Sequence, residues 1–405
     1  MFKNINFLVI SLFFYTNAFK LGLENISPHL KNRLIKQKKR IGLVTNQTGI
    51  DQAGRRNIDR LLNEGFNLVS IFVPEHGLTG SAKNGEAIDN GFDHSTRLPI
   101  ISLYKGETRK NTCSPENIKN IDIFMFDIQD SGMRHYTYIS TLFKVLERAA
   151  EYNKEVIVLD RPNPLGSIME GPLVEPDQKS FISIAPIPVR HGMTIGELAQ
   201  YFNRFNVAKP TQLTVVPMQG YQRTKGIDTL PAMLSSGLRT KQGCYAYSFL
   251  GLLGEIRPFF IGLKTDKPFE VLMISNKHNI PLDYWHKLKI LFKKFHVDSK
   301  LTKLQHTPNQ KWYTGLALNI EDINQVHAFE LFLKILQLSQ KYNLDLKFAP
   351  TFNLATGTDK VRKFLDRQYS KDNLKTFINN NLKDFNRQAQ SCYIYSPTPQ
   401  ITLLK

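Results

Sequence analysis

Four short apolar runs in this chain each end on residues able to move a proton or to hydrogen-bond a polar ligand. Ile41 to Val44 is followed by Thr45-Asn46-Gln47, and Leu68 to Val73 by Pro74-Glu75-His76-Gly77. Ile121 to Phe126 leads into Asp127-Ile128-Gln129-Asp130, and Val156 to Leu159 into Asp160-Arg161-Pro162-Asn163. A carboxyl group placed directly after a buried strand is partly desolvated, as a general acid acting near neutral pH requires. Glu75 occupies such a position. His76 beside it can orient it, bind substrate or serve as a structural hydrogen-bonding residue. Asp127 and Asp130 precede the loop Gly132-Met133-Arg134-His135-Tyr136-Thr137-Tyr138. A guanidinium suits bidentate contact with a carboxylate, and phenols suit stacking and hydroxyl contacts. Arg134, Tyr136 and Tyr138 are therefore candidates for holding an anionic sugar; the alternative is that Arg134 pairs with Asp130 and only shapes the loop.

Positioning these groups falls to the elements between them. Helical spacing appears at Ile58, Leu61 and Leu62, and again at Ile139, Leu142, Phe143, Leu146 and Ala150. Apolar runs alternating with helices predict a parallel sheet covered on both faces, so residues 19–240 read as one doubly wound α/β domain. In such a sheet all carboxyl ends lie along one edge, where ligands bind, and the four polar clusters converge there. Helix capping by Asn and Asp explains one or two of the clusters, but not a Glu-His pair, an Asp-x-x-Asp and an Asp-Arg together. Thr194 and Glu197 have the spacing of a capping box, which assigns Glu197 to a helix start and leaves His191 as the candidate on the rim. Residues 241–405 mix a strand at 315–320 with helices near 326–341 and 371–386, a smaller α+β domain. No internal repeat is present.

Composition sets outer bounds. Of 405 residues, 41% are hydrophobic and 22% charged, as in folded globular chains. The net charge of +18 is dispersed, with no basic-aromatic stripe, so nucleic acid is not expected as a partner. No G-x-G-x-x-G follows the first strand, no phosphate-binding loop or H-E-x-x-H occurs, and neither a cofactor nor a metal is expected. Cys113, Cys244 and Cys392 form no CxxC pair and permit at most one bridge. At the N-terminus Lys3, an apolar run from Phe7 to Tyr15 and Thr16-Asn17-Ala18 predict a signal peptide over residues 1–18, hence an exported protein without stable membrane insertion.

At these same positions the chain resembles the NamZ (YbbC-like) family. The matching stretches are 42–49 (Gly-Leu-Val-Thr-Asn-Gln-Thr-Gly), 74–78, 127–138, 159–164 and 191–199, with a thinner match at Thr356-Gly357-Thr358-Asp359-Lys360-Val361-Arg362. The resemblance implies an exo-β-N-acetylmuramidase acting on peptidoglycan-derived muropeptides or disaccharides. It also implies a Rossmann-like first domain, a smaller second one, and a cleft between them with Glu75 as leading catalytic carboxylate. Glycoside hydrolysis uses two carboxyl groups, or one plus the substrate's acetamido group; Asp127, Asp130 and Glu255 remain open as the second. Asn46, Gln47, His76, Gln129, Arg134, Tyr136, Tyr138, Asp160, Arg161, Asn163, His191 and Glu255 are the expected substrate contacts. The chain departs from the family at Glu255-Ile256-Arg257-Pro258 and Gly262-Leu263-Lys264-Thr265, where Leu263 stands in place of an arginine. That change keeps a rival in view: a sugar-binding protein that retained the cleft and lost turnover.

Overall fold

The computed structural model describes residues 19–80, 90–103, 114–225, 234–235, 237–306 and 310–405. The expected signal segment 1–18 and Cys113 lie outside these. The first domain is built on β1 (Ile41–Thr45), β2 (Leu68–Val73), β3 (Gly91–Phe92), β4 (Pro99–Ser102), β5 (Ile123–Asp127), β6 (Glu155–Leu159) and β8 (Leu213–Val216), with the short β7 (Ile168–Met169) outside this sheet. The strand order is β3-β4-β2-β1-β5-β6-β8, parallel throughout except for the edge strand β3. The chain winds outward from β1 toward β2 and β4, then reverses to β5, β6 and β8. This is the expected doubly wound sheet, with its switch point between β1 and β5.

Side chains along the strands alternate between two apolar layers, as the two-residue period demands. Ile41, Leu43, Ile71, Val73, Ile123 and Met125 pack on one face with Leu34 of α1 (Pro28–Lys36) and Ile58 and Leu61 of α2 (Asn57–Asn63). Val44, Phe72, Phe124, Phe126, Val156 and Val158 pack on the other. There they meet Ile118 of α3 (Pro115–Lys119), the Leu142-Phe143-Leu146 stripe of α4 (Tyr138–Glu151) and Leu198 and Phe202 of α5 (Ile195–Phe205). Both layers being greasy explains why the strands read as unbroken apolar runs.

The second domain begins with α6 (Lys241–Leu253), capped by the Thr240 hydroxyl, followed by β9 (Ile256–Arg257), β10 (Phe259–Phe260), β11 (Val271–Ser275), α7 (Leu282–Lys294), β12 (Asp298–His306) and β13 (Lys311–Asn319). Its antiparallel sheet has the order β10-β11-β13-β12, covered by α6 and α7, with α8 (Ala328–Lys341) packed against both helices. Then come β14 (Lys347–Phe348), which pairs with β9, and helices α9 (Phe352–Thr356), α10 (Lys360–Leu365) and α11 (Lys371–Ala389). The chain finally returns to the first domain. Phe385, Ala389 and Cys392 enter its core, and β15 (Gln400–Ile401) pairs with β7. The spatial units are thus not contiguous in sequence. Cys244 and Cys392 are both buried and free.

One buried ion pair ties the two domains together. Arg190 meets Glu170 at 3.0 Å and donates to the carbonyls of Val326 and Ile323. Glu170 in turn accepts the Ala328 and Phe329 amides at the start of α8, where orphan N–H groups and the helix dipole favour a carboxylate. Arg190→Met leaves that carboxylate buried without its cation. We expect a loss of about 3–5 kcal/mol, read as a lowered urea midpoint; an unchanged midpoint would contradict the assignment.

Candidate functional site

The loop after β2 presents Glu75 on a turn in which His76 and Gly77 both take left-handed backbone angles. Glu75 is buried, only 6% exposed, and its carboxylate accepts the Thr137 hydroxyl at 2.9 Å. Thr137 lies at the start of α4, so the helix entry positions the carboxylate. Gly80 closes the turn against Gln47, and a Cβ there would sit 2.5 Å from the amide carbon.

Asp130 is the second buried carboxylate on this rim. Its Oδ2 accepts the Gly132 amide at 2.7 Å and faces His191 Nε2 at 3.1 Å, while Oδ1 has no partner among the described residues. His191 was expected on an exposed rim; it is instead fully buried, its Nδ1 taking the Met193 amide. Other polar atoms nearby are left open in the same way. Gln129 Oε1 and both ring nitrogens of His135 are buried without a hydrogen bond among the described residues, and Asn46 Nδ2, Gln47 Oε1 and the Tyr138 hydroxyl have at best strained contacts with one another. Since nearly all buried polar atoms are paired in folded proteins, a cluster of open ones marks a place that ordered water or a polar ligand completes.

Aromatic rings line the same space. Tyr136 and Tyr138 meet edge-on at 4.8 Å, and Tyr136 donates to the Leu234 carbonyl, as does the Gln47 amide. Burial pushes the Tyr138 phenol up to about 12, opposed by nearby Gln47, Tyr136 and Asn46 and reinforced by the Glu75 charge. Burial and then the neighbouring Arg134 hold His135 down to about 3, so its imidazole is neutral. Tyr247 of α6 packs on His135 at 4.9 Å and faces Tyr136. Burial raises its phenol first, and the charges of Asp130, Glu255 and Glu75 raise it further. One phenol therefore feels all three carboxylates, with Glu255 contributed by the second domain. Nothing in the apolar α6 segment marked Tyr247 beforehand.

Several expected contacts have other employment. Asp127 is fully buried, bound by Arg161 at 2.6 and 3.0 Å and by the Asn57 amide at 2.7 Å, so neither oxygen faces the open cluster. Arg161 also donates to the Ile50 carbonyl. Asp160 accepts the Arg161 and Gly196 amides and the Thr194 and Tyr395 hydroxyls, capping α5. The expected capping box of Thr194 and Glu197 is present, and Glu197 also binds Arg223 and the Ile394 amide. Asn163 bridges Met193 and Leu165. Gln129 donates to the Asp130 and Pro162 carbonyls, and Asn46 accepts from Thr48. Glu255 accepts the Thr351 hydroxyl.

Arg134 requires a correction. Neither sugar recognition nor pairing with Asp130 describes it: the guanidinium is fully buried and donates to the carbonyls of Pro172, Ile187 and Ala355 and to Ser183 Oγ. Burial lowers it to about 9. Its donors are spent on backbone from both domains, so it fixes their packing.

This geometry coincides with a known family. The family models described as exo-β-N-acetylmuramidase NamZ, N-terminal and C-terminal, match residues 41–235 and 245–395. The chain belongs to the NamZ family. It is 34% identical over 387 residues to the peptidoglycan β-N-acetylmuramidase NamZ of Bacillus subtilis, covering 92% of this chain and 91% of that protein. Two crystal structures of DUF1343 family proteins from Bacteroides fragilis share the fold. They have TM-scores of 0.80 and 0.71 at 32% and 28% identity, each covering 93% of this chain and 99% of the other. The NamZ-type rim is thus split between groups that line the candidate site (Asp130, Asn46, Gln47 and Tyr138, with Glu75 held by Thr137) and groups that brace them (Asp127, Arg161, Asp160, Asn163).

Among the bracing groups, Asp160 carries a pH signature. Burial raises its carboxyl to about 6 from an ordinary 3.8, with the Glu197 charge adding and the Tyr395 hydrogen bond opposing. The folded state therefore holds this proton more tightly than the unfolded chain, a contribution present below about pH 4 and lost as the pH rises through about 6. Between pH 4 and 7 the wild-type Tm should fall by a few degrees relative to Asp160→Asn. Parallel Tm curves for the two proteins would contradict this.

Proposed function

We propose that this chain is an exo-acting glycoside hydrolase that releases non-reducing terminal β-linked N-acetylmuramic acid from peptidoglycan fragments. The observation that carries the reading is the pair of buried carboxylates on the strand-end loops, Glu75 held by Thr137 and Asp130 held by Gly132 and His191, with Asp130 Oδ1 left without a partner among the described residues. Family membership supplies the substrate class.

In this reading Glu75 is the general acid. Held by Thr137, it gives its proton to the glycosidic oxygen as the bond to the anomeric carbon breaks, so the leaving sugar departs as an alcohol. Asp130 is the second carboxyl. His191 and the Gly132 amide anchor one oxygen and leave the other to polarise the nucleophile at the anomeric carbon, either a water or the substrate's acetamido oxygen that a water then displaces; that water supplies the hydroxyl of the released sugar and its proton returns to a carboxylate. Asn46, Gln47, Tyr136 and Tyr138 bind sugar hydroxyl and acetamido groups. Glu255, reaching in from the second domain, closes the far side.

Glu75→Gln keeps the shape and the hydrogen bond from Thr137 but has no acidic proton. Release from a chromogenic β-N-acetylmuramide should fall about 10²–10⁴-fold while binding persists. Full activity in the variant would remove Glu75 from the mechanism, and binding without turnover by the wild type would favour the sugar-binding rival. We also infer that the protein is exported. The charge at Lys3, the run Phe7 to Tyr15 and the small residues before Phe19 support cleavage after Ala18. Sequencing the mature N-terminus should find Phe19 first; an intact Met1 on periplasmic or secreted protein would refute that cleavage.

A further inference from the structure

The second domain carries a cleft of about 490 Å³ beside the Glu255 loop, within the size range of small-ligand sites. Its walls come from β9, β10, β14 and the ends of β11, β12 and β13. Arg257, Lys264, Lys277 and Lys347 line it against a single carboxylate, Asp345. Asp345 is already paired with Lys347 at 3.2 Å. Lys264 and Lys277 have no ion-pair partner among the described residues. The floor is aromatic: Phe260 and Tyr313 lie 4.4 Å apart with half-exposed rings, and His306 leans on Phe260 at 5.2 Å. Cations around an aromatic floor, with the Phe260 and Tyr313 rings inclined at 34°, fit a ligand with one carboxylate and one apolar face, which is the chemistry of an acidic sugar.

The cleft borders the loop that carries Glu255. Gly254, on its wall, immediately precedes Glu255, and Arg257 donates to the Gly254 carbonyl at 3.1 Å. Leu263 and Lys264, where the sequence departs from the family pattern, also line this cleft. Lys264 is held in a left-handed turn after β10.

We propose that this cleft is a leaving-side subsite for a further carboxylate-bearing sugar of the glycan strand, bound by Lys264 and Lys277 over Phe260. The inference rests on the hydrolase reading, because an exo enzyme fills its catalytic end with the terminal sugar and every remaining sugar extends to the leaving side. In a strand that alternates acidic and neutral amino sugars, the next carboxylate then falls beyond the catalytic centre. Exposed lysines hold it through screened charge, so the preference for longer strands weakens as salt is added.

The test compares wild type with the Lys264→Glu/Lys277→Glu double variant on a chromogenic β-N-acetylmuramide and on a four-sugar strand ending in N-acetylmuramic acid. Charge reversal should lower kcat/KM on the strand about tenfold or more and leave the chromogenic substrate unaffected. Lys264→Arg/Lys277→Arg should keep wild-type behaviour on both. Equal losses on both substrates, no loss on either, or tighter binding of a single-stranded oligonucleotide than of the strand would overturn the subsite. If the wild type releases nothing from the chromogenic substrate, the hydrolase reading fails instead. Calorimetric binding of the strand to wild type and double variant then decides the subsite: a weakening sustains it, and equal affinity refutes it.

Discussion

Asp127 and Arg161 form a buried, doubly hydrogen-bonded ion pair at the carboxyl edge of the sheet, with Asn57 as a third partner. Such a pair is costly to desolvate; three bonds on the Asp127 oxygens offset that cost, while Arg161 Nη1 is left without a partner among the described residues. Here it joins the ends of β5 and β6 to the start of α2, across the switch point between the paired strands β1 and β5. Thr45 adds a bond from the end of β1 to the Asp127 carbonyl. With these strand ends fixed, the loops beyond them have little freedom. Glu75 and Asp130 hold their positions on that rigid lip, the condition under which a carboxylate can be kept poised without a substrate present.

The second domain is held to this lip by two buried arginines, one of which, Arg134, looks in sequence like a ligand contact. Arg134 and Arg190 each sit fully buried and reach backbone carbonyls across the domain boundary. Their task is to fix the relation between Glu255 and the two carboxylates of the first domain. The return of the chain's last segment, through Tyr395 on Asp160 and β15 on β7, fastens the same arrangement from behind.

How much of this was legible beforehand depends on what each residue type reveals by spacing. The doubly wound sheet was legible, because strands buried on both faces read as continuous apolar runs and α4 carries its stripe openly. The convergence of Asn46, Glu75, Asp130 and Asp160 on one edge followed from topology alone. The division of labour among them did not. An Asp-Arg pair after a strand has the same appearance whether it greets a ligand or is sealed under the rim, and burial settles that only in three dimensions. Arg134 misled for the same reason: its partners are carbonyls of Pro172, Ile187 and Ala355, and a carbonyl acceptor leaves no trace in sequence. Tyr247 was invisible because one phenol in an apolar helix is an ordinary core residue until its neighbours are known.

The central claim is that the terminal sugar lies between Glu75 and Asp130, with the second domain closing over it. The most direct measurement is a crystal structure of the Glu75→Gln variant with a disaccharide ending in β-linked N-acetylmuramic acid. The account predicts the glycosidic oxygen within about 3 Å of the side chain at position 75. It also predicts Asp130 Oδ1 turned to the anomeric carbon, with Asn46, Gln47 and Tyr138 bonded to the sugar. A disaccharide seated elsewhere, with Glu75 and Asp130 touching neither the glycosidic oxygen nor the anomeric carbon, would contradict it.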